Sequence, residues 1–286
     1  MMRELFAVGE AMPYVDVGGV RLYYDVVGSG EPVVLVNGIF MSTRSWMYQA
    51  NHLASLGYTV VTHDLRGQWM SDKPIEEDLY SIEIHAEDLR NLLDYLGLRR
   101  AHLVGTSYGG MISMLFAVKY REYVNDLTII TSTSEIHEDL RLTALRWLEG
   151  ALSGDFRKFV LSWINDVYSG EYLTAVGSSF VDKLIGYFSQ GFDLQAAAKL
   201  LKAFLKVLDS PLTPLITKIE VPTLVIAAEL DRVMPPKYSR IISRSIKGST
   251  YFEVREAGHA VIIEKPDVVN YIVTGFLRSN PLRSNS

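Results

Sequence analysis

Short, uninterrupted apolar runs alternate along this chain with stretches of helical periodicity, and that alternation leaves few folds open. Val33–Val36, Tyr58–Thr62, Ala101–Val104, Leu127–Ile130, Thr223–Ala228 and Thr250–Val254 read as strands. Thr43–Leu56, Ser81–Leu98, Met111–Val118, Lys237–Ile246 and Asp267–Leu277 read as helices, with apolar residues recurring on one face. Uninterrupted apolar runs, such as VVLV and the LVIAA of TLVIAA, suit a sheet buried on both faces. Strands separated by helices build parallel βαβ units with right-handed crossovers. The expected fold is therefore α/β, a doubly wound, mostly parallel sheet. A hairpin over Tyr14–Val27, turning at Gly18-Gly19, precedes it. Ser81 is placed to cap its helix, although Ile84 stands where a capping box would have Glu.

The rhythm stops between residues 134 and 219, where no strong strand signal occurs. A length of 286 residues accommodates one large α/β domain with an inserted subdomain. The expected organisation is a core in two parts, 1–133 and 220–286, with a helical cap over 134–219 inserted after the sixth strand. The insertion is rich in aromatics, Trp147 and Trp163 among them. Ala196–Leu208 carries Lys199, Lys202 and Lys206 on one side and Leu201, Phe204, Leu205 and Leu208 on the other. A helix docked on the core with its lysines in water fits that pattern better than one lying on a membrane.

Composition removes whole classes of function. A net charge of −5 argues against a nucleic-acid partner and against dependence on an anionic membrane. With no cysteine there is no disulfide, no thiolate nucleophile and no cysteine metal ligand. The N-terminal apolar run, Leu5 to Val8, is too short for a signal peptide, and no stretch is long enough for a membrane span. No stable membrane insertion is expected, and the default location is cytoplasmic. Metalloprotease, P-loop and dinucleotide motifs are missing, and Gly28-Ser29-Gly30 leads into Glu-Pro and not into a helix. No cofactor and no metal are expected.

The chemistry concentrates at Gly105-Thr106-Ser107-Tyr108-Gly109, followed by Gly110, between the strand-like HLV and the helical MISMLFAV. A serine on a tight strand-to-helix turn has its hydroxyl thrust out above the sheet, a nucleophile elbow. The flanking glycines leave room where a Cβ would strike neighbouring backbone. The helix N-terminus behind offers N–H groups to a developing anion. A serine hydroxyl needs a base to take its proton. Of the six histidines, His259 follows the last strand, where loops line the site of such a sheet, and it follows Ser107 in chain order. His63 also ends a strand and is the alternative. Asp231, in the loop after Thr223–Leu230, completes the order Ser, Asp, His. Glu135, after the sixth strand, is its rival; Glu229 lies closer to the strand itself.

Nearly the whole chain resembles the α/β-hydrolase family with a helical cap, of the esterase, lactonase and carbon–carbon-bond hydrolase group. The resemblance rests on VVLVNG, DLRGQWMSDKP, GTSYGG, VPTLVIAAELDRVMPP and AGHAVIIEKPD. It implies an eight-stranded sheet and an oxyanion hole formed by the backbone N–H groups of Ile39 and Tyr108. The family usually has His where this chain has Asn37, and His and Gly where it has Gln68 and Trp69. Asn37, Trp69, Trp147 and Trp163 are expected to line the substrate pocket. The family's haloalkane dehalogenases and epoxide hydrolases carry Asp at the elbow, so Ser107 implies acyl chemistry instead.

The expected activity is serine-dependent hydrolysis of a small to medium carboxylic ester or lactone through an acyl-enzyme, with that small molecule as the partner and the oligomeric state left open. Carbon–carbon cleavage, a lyase or a perhydrolase reaction would use the same triad. A non-catalytic receptor on this fold is the alternative from a different class.

Overall fold

The structure, a computed structural model, describes residues 13–282; the N-terminal run read for a signal peptide lies outside them. In chain order the elements are β1 (Tyr14–Asp16), β2 (Arg21–Gly28), β3 (Glu31–Val36), α1 (Met47–Ser55), β4 (Tyr58–His63), α2 (Ile82–Tyr95), β5 (Ala101–Thr106), α3 (Tyr108–Lys119) and β6 (Val124–Ile130). Six helices follow: α4 (Glu138–Leu152), α5 (Phe156–Val167), α6 (Gly170–Val176), α7 (Ser179–Ser189), α8 (Leu194–Leu205) and α9 (Thr213–Ile216). The chain closes with β7 (Thr223–Ala228), α10 (Pro236–Ser245), β8 (Thr250–Val254), α11 (Val261–Glu264) and α12 (Pro266–Ser279).

The eight strands form one sheet in the order β1-β2-β4-β3-β5-β6-β7-β8. The first two junctions, β1 with β2 and β2 with β4, are antiparallel, and every other pair is parallel. β3, β5, β6 and β7 are central, so their apolar residues are covered from both sides; Val33–Val36 are wholly buried. One layer of core packs α2 and α3 against one face, and a second packs α1 and α12 against the other. The carboxyl ends of the parallel strands, where β5 meets α3, lie beneath the inserted helices.

The boundaries depart from periodicity for local reasons. Ser81 caps α2, its Oγ accepting from the Ile84 N–H at 3.2 Å. That helix stops at Tyr95 because Gly97 turns left-handed, φ 67°, and the Leu98 N–H bonds back to the Leu93 carbonyl. α3 starts three residues before the apolar spacing would place it, directly after Ser107. The amphipathic stretch near residue 200 is α8. Leu201 and Phe204 are buried and Leu205 is half-buried, while Leu208 lies exposed beyond the helix; Lys199 donates to the Pro74 carbonyl, and Lys202 pairs with Glu77. Among the described residues no helix is long and apolar enough to cross a membrane.

Two buried histidines set a pH dependence. His63, at the end of β4, is fully buried, and neither ring nitrogen has a partner among the described residues. Burial lowers its pKa to about 4. Burial, with the charge of Arg66 and a further contribution from His63, lowers that of His85 to about 3. The unfolded chain therefore takes these protons as pH falls through the ordinary histidine range, while the folded protein refuses them until far lower pH. Stability is full above that range and is lost as pH falls toward 4, by on the order of 3 kcal/mol for His63 alone. Urea unfolding followed from about pH 7 to about pH 5 should show this loss, with a shallower slope in His63→Leu. Parallel slopes in the two proteins would contradict it.

Candidate active site

Ser107 is the single residue between β5 and α3, and it adopts φ 54°, ψ −124°. A non-glycine residue held there ordinarily costs about 1–3 kcal/mol, and the surroundings must enforce it. The Ser107 N–H donates to the Ile130 carbonyl at 2.9 Å, and the Ser107 carbonyl accepts from Ser132 Oγ at 2.6 Å. The glycines are required by space. A Cβ on Gly105 would lie 2.4 Å from the Gly109 carbonyl oxygen, and one on Gly109 would lie 2.2 Å from that of Val36. Both obstacles are backbone, which cannot swing aside. Gly109→Ala should therefore destabilise the protein by about 3 kcal/mol or more. Thermal unfolding reads this directly; an unchanged midpoint would show that the elbow tolerates a side chain.

His259 sits between β8 and α11. Its Nε2 is 2.9 Å from Ser107 Oγ, and its Nδ1 is 2.8 Å from Asp231 Oδ2. Asp231 is buried, and its other oxygen accepts from the N–H groups of Val233 and Met234 at 2.8 and 2.9 Å. The carboxylate is thus fixed by its own loop before it meets the ring. It orients Nδ1–H toward itself and leaves Nε2 to accept from the serine hydroxyl. The His259 turn is clamped in its place by Glu264, whose carboxylate accepts from the Gly258 N–H and from the N–H and Oγ of Ser169.

The rival groups are engaged elsewhere. Glu135 accepts from Thr213 Oγ1 at 2.6 Å and meets His137 Nε2 at 2.7 Å. Those two hydrogen bonds, Thr213 first, hold its carboxyl below the usual range. Glu229 accepts from the Glu256 N–H. His63 faces no partner, as described above.

The loop after β3 completes the site. Ile39 and Tyr108 line the cavity with Ser107, and among the described hydrogen bonds neither of their N–H groups has an acceptor. The loop is pinned at three points. Trp46 Nε1 donates to Asn37 Oδ1 at 2.8 Å, Gln68 Nε2 to the Gly38 carbonyl at 3.1 Å, and Trp69 Nε1 to the Phe40 carbonyl at 3.0 Å. Tyr108 is anchored in turn by its hydroxyl, 3.0 Å from His85 Nδ1.

Above Ser107 lies a cavity of about 350 Å³, walled largely by apolar side chains of the inserted helices and the core, including Leu140, Phe188, Leu201, Phe204 and Met234. Trp147 and Trp163 line it, as their place in the insertion leads one to expect. Asn37 and Trp69 do not, which corrects the expectation for both. The Asn37 amide is turned to the Trp46 indole. The Trp69 ring packs at a tilt against Tyr187, Phe188 and Phe192, with centroids 4.4, 5.3 and 5.2 Å away. Trp69 takes φ 40° at a position where glycine would be at ease, and those contacts offset the strain. Gln68 and Glu264 hold the site without having been singled out for that purpose; Gln68 stands within a motif that marks the site, whereas Glu264 carries no local signal.

The alpha/beta hydrolase fold family matches residues 31–266. The chain belongs to that family. The hydrolase superposes on the crystal structure of MGS-M2, an alpha/beta hydrolase from a Medee basin deep-sea metagenome library, with a TM-score of 0.86 and 26% identity, over 96% of this chain and 100% of that one. It is also similar to Est816, described as an N-acyl homoserine lactone degrading enzyme, with a TM-score of 0.75 and 26% identity, over 92% of this chain and 100% of the other. Among curated relatives, the bifunctional epoxide hydrolase 2 of Sus scrofa is 27% identical over 92% of this hydrolase, which spans 55% of that longer protein.

Proposed function

We propose that this hydrolase cleaves small to medium carboxylic esters or lactones through an acyl-enzyme on Ser107. The observation that carries the reading is the continuous line from Ser107 Oγ to His259 Nε2, 2.9 Å, and from His259 Nδ1 to Asp231 Oδ2, 2.8 Å. Ser107 attacks the carbonyl carbon as His259 takes the hydroxyl proton. The new imidazolium is stabilised by Asp231, which stays ionised. Negative charge moves onto the carbonyl oxygen, where the Ile39 and Tyr108 N–H groups receive it, each donor contributing on the order of 3 kcal/mol. His259 returns the proton to the leaving oxygen as the bond to carbon breaks. Water, deprotonated by His259, then releases the acid and restores the serine. The serine separates this reading from epoxide opening, for which the family resemblance implies an aspartate nucleophile. The likeness to Est816 accords with a lactone as one substrate.

The inserted helices act in this reading as a cap that excludes water and strengthens the oxyanion donors. They also bound the substrate. The specificity constant should rise by up to about 0.8 kcal/mol of binding per added methylene until the cavity is full, then fall. A series of aryl esters of increasing acyl length, with lactones, an epoxide and a β-diketone alongside, tests this. Specificity that keeps rising through long acyl chains, with activation by emulsified lipid, would mean that the cap is a lipase lid.

A further inference from the structure

Apart from Ser107, His259 and a few hydroxyl side chains, the cavity wall is apolar and carries a charge only at its mouth. Of the residues that line it, Arg44 alone is exposed, which places it at the entrance; the inserted helix α7 contributes Leu184 and Tyr187 to the same cavity. No Asp, Glu or Lys lines the cavity, so Arg44 carries its one permanent charge. Among the described residues the Arg44 side chain has neither an ion pair nor a hydrogen bond, whereas nine of the other fourteen described arginines pair with a carboxylate. Asp64, the buried acid that feels its charge, is occupied with the N–H groups of Thr43 and Met70. A guanidinium presents a planar fork that matches a carboxylate in two hydrogen bonds.

We infer that Arg44 captures a carboxylate carried by the substrate, so that this hydrolase favours esters or lactones bearing an acid group several bonds from the reacting carbonyl. The inference rests on the acyl-enzyme reading above. The reacting carbonyl sits at Ser107, an aliphatic or aromatic spacer fills the apolar cavity, and the carboxylate reaches the entrance. The local positive charge of Arg44, set against the repulsion that the net negative charge of the protein exerts on an anion, is what selects such a substrate over its neutral counterpart.

The test compares aryl hemi-esters of dicarboxylic acids of increasing length, and aryl esters with the carboxylate on the alcohol side, each against its neutral carboxamide isostere. At low salt, kcat/KM for the best acid should exceed that for its carboxamide by about two- to fivefold. That ratio should collapse toward unity in Arg44→Gln, be kept in part in Arg44→Lys, and shrink as salt rises from about 0.02 to about 0.5 M, since an exposed ion pair is screened. An acid no better than its carboxamide at any length, or a ratio that Arg44→Gln leaves unaltered, overturns the inference while the acyl-enzyme reading stands. If neither acid nor carboxamide esters acylate Ser107, both readings fall together.

Discussion

Ser107→Ala removes ester turnover while the fold survives. The elbow geometry depends on the glycines, on the Ser107 N–H donating to the Ile130 carbonyl and on Ser132 Oγ donating to the Ser107 carbonyl, none of which involves Ser107 Oγ. Alanine keeps the Cβ, so the strained turn and the cavity should persist, and circular dichroism and the thermal midpoint should match the parent. What disappears is the atom that forms the bond to carbon. In a comparable triad the loss of the nucleophile costs on the order of 10⁶ in kcat, the remainder being supplied by the oxyanion hole and binding. A pre-steady-state burst in the Ser107→Ala protein would show that another group is acylated.

Asp231→Asn should lower kcat by about 10⁴, as the equivalent change does in a well-studied triad, whereas Glu135→Gln should cost little. The mechanism of the loss is tautomeric. An asparagine can still accept from Val233 and Met234 N–H through its oxygen, which leaves its NH₂ facing His259 Nδ1. The ring then carries its proton on Nε2, where it cannot receive the one on Ser107. Glu135 is tied to Thr213 and His137, so neutralising it disturbs that local contact only. If Glu135→Gln proves the more damaging change, the acid of the triad has been misplaced.

How much of this was legible in the sequence follows from the range of the forces involved. The elbow could be read because a strand-to-helix turn imposes steric rules on five consecutive residues. The sheet could be read because burial on both faces makes long runs of its central strands apolar. β6 was read too short for the converse reason. It begins with Val124-Asn125-Asp126, whose polar side chains are buried through bonds to His102 and to the Asn280 carbonyl, and a polar strand residue gives no apolar signal. Asn37 and Trp69 were placed at the right loops but on the wrong side of the wall. Which way each side chain turns depends on left-handed backbone at Phe40, φ 71°, and at Trp69 itself, and neither is a glycine that would announce it. Glu264 escaped notice because its partner Ser169 lies 95 residues away across the insertion, beyond any local pattern.

An acyl-enzyme on Ser107 is a covalent species, so the most direct measurement detects it by mass. Incubation with a fluorophosphonate, and separately with an aryl ester quenched in acid within the burst, followed by intact-mass and peptide-mapping mass spectrometry, should find one adduct per chain, on the peptide that contains Ser107 and absent in His259→Gln. No adduct with either reagent, or an adduct on another residue, would contradict the acyl-enzyme account.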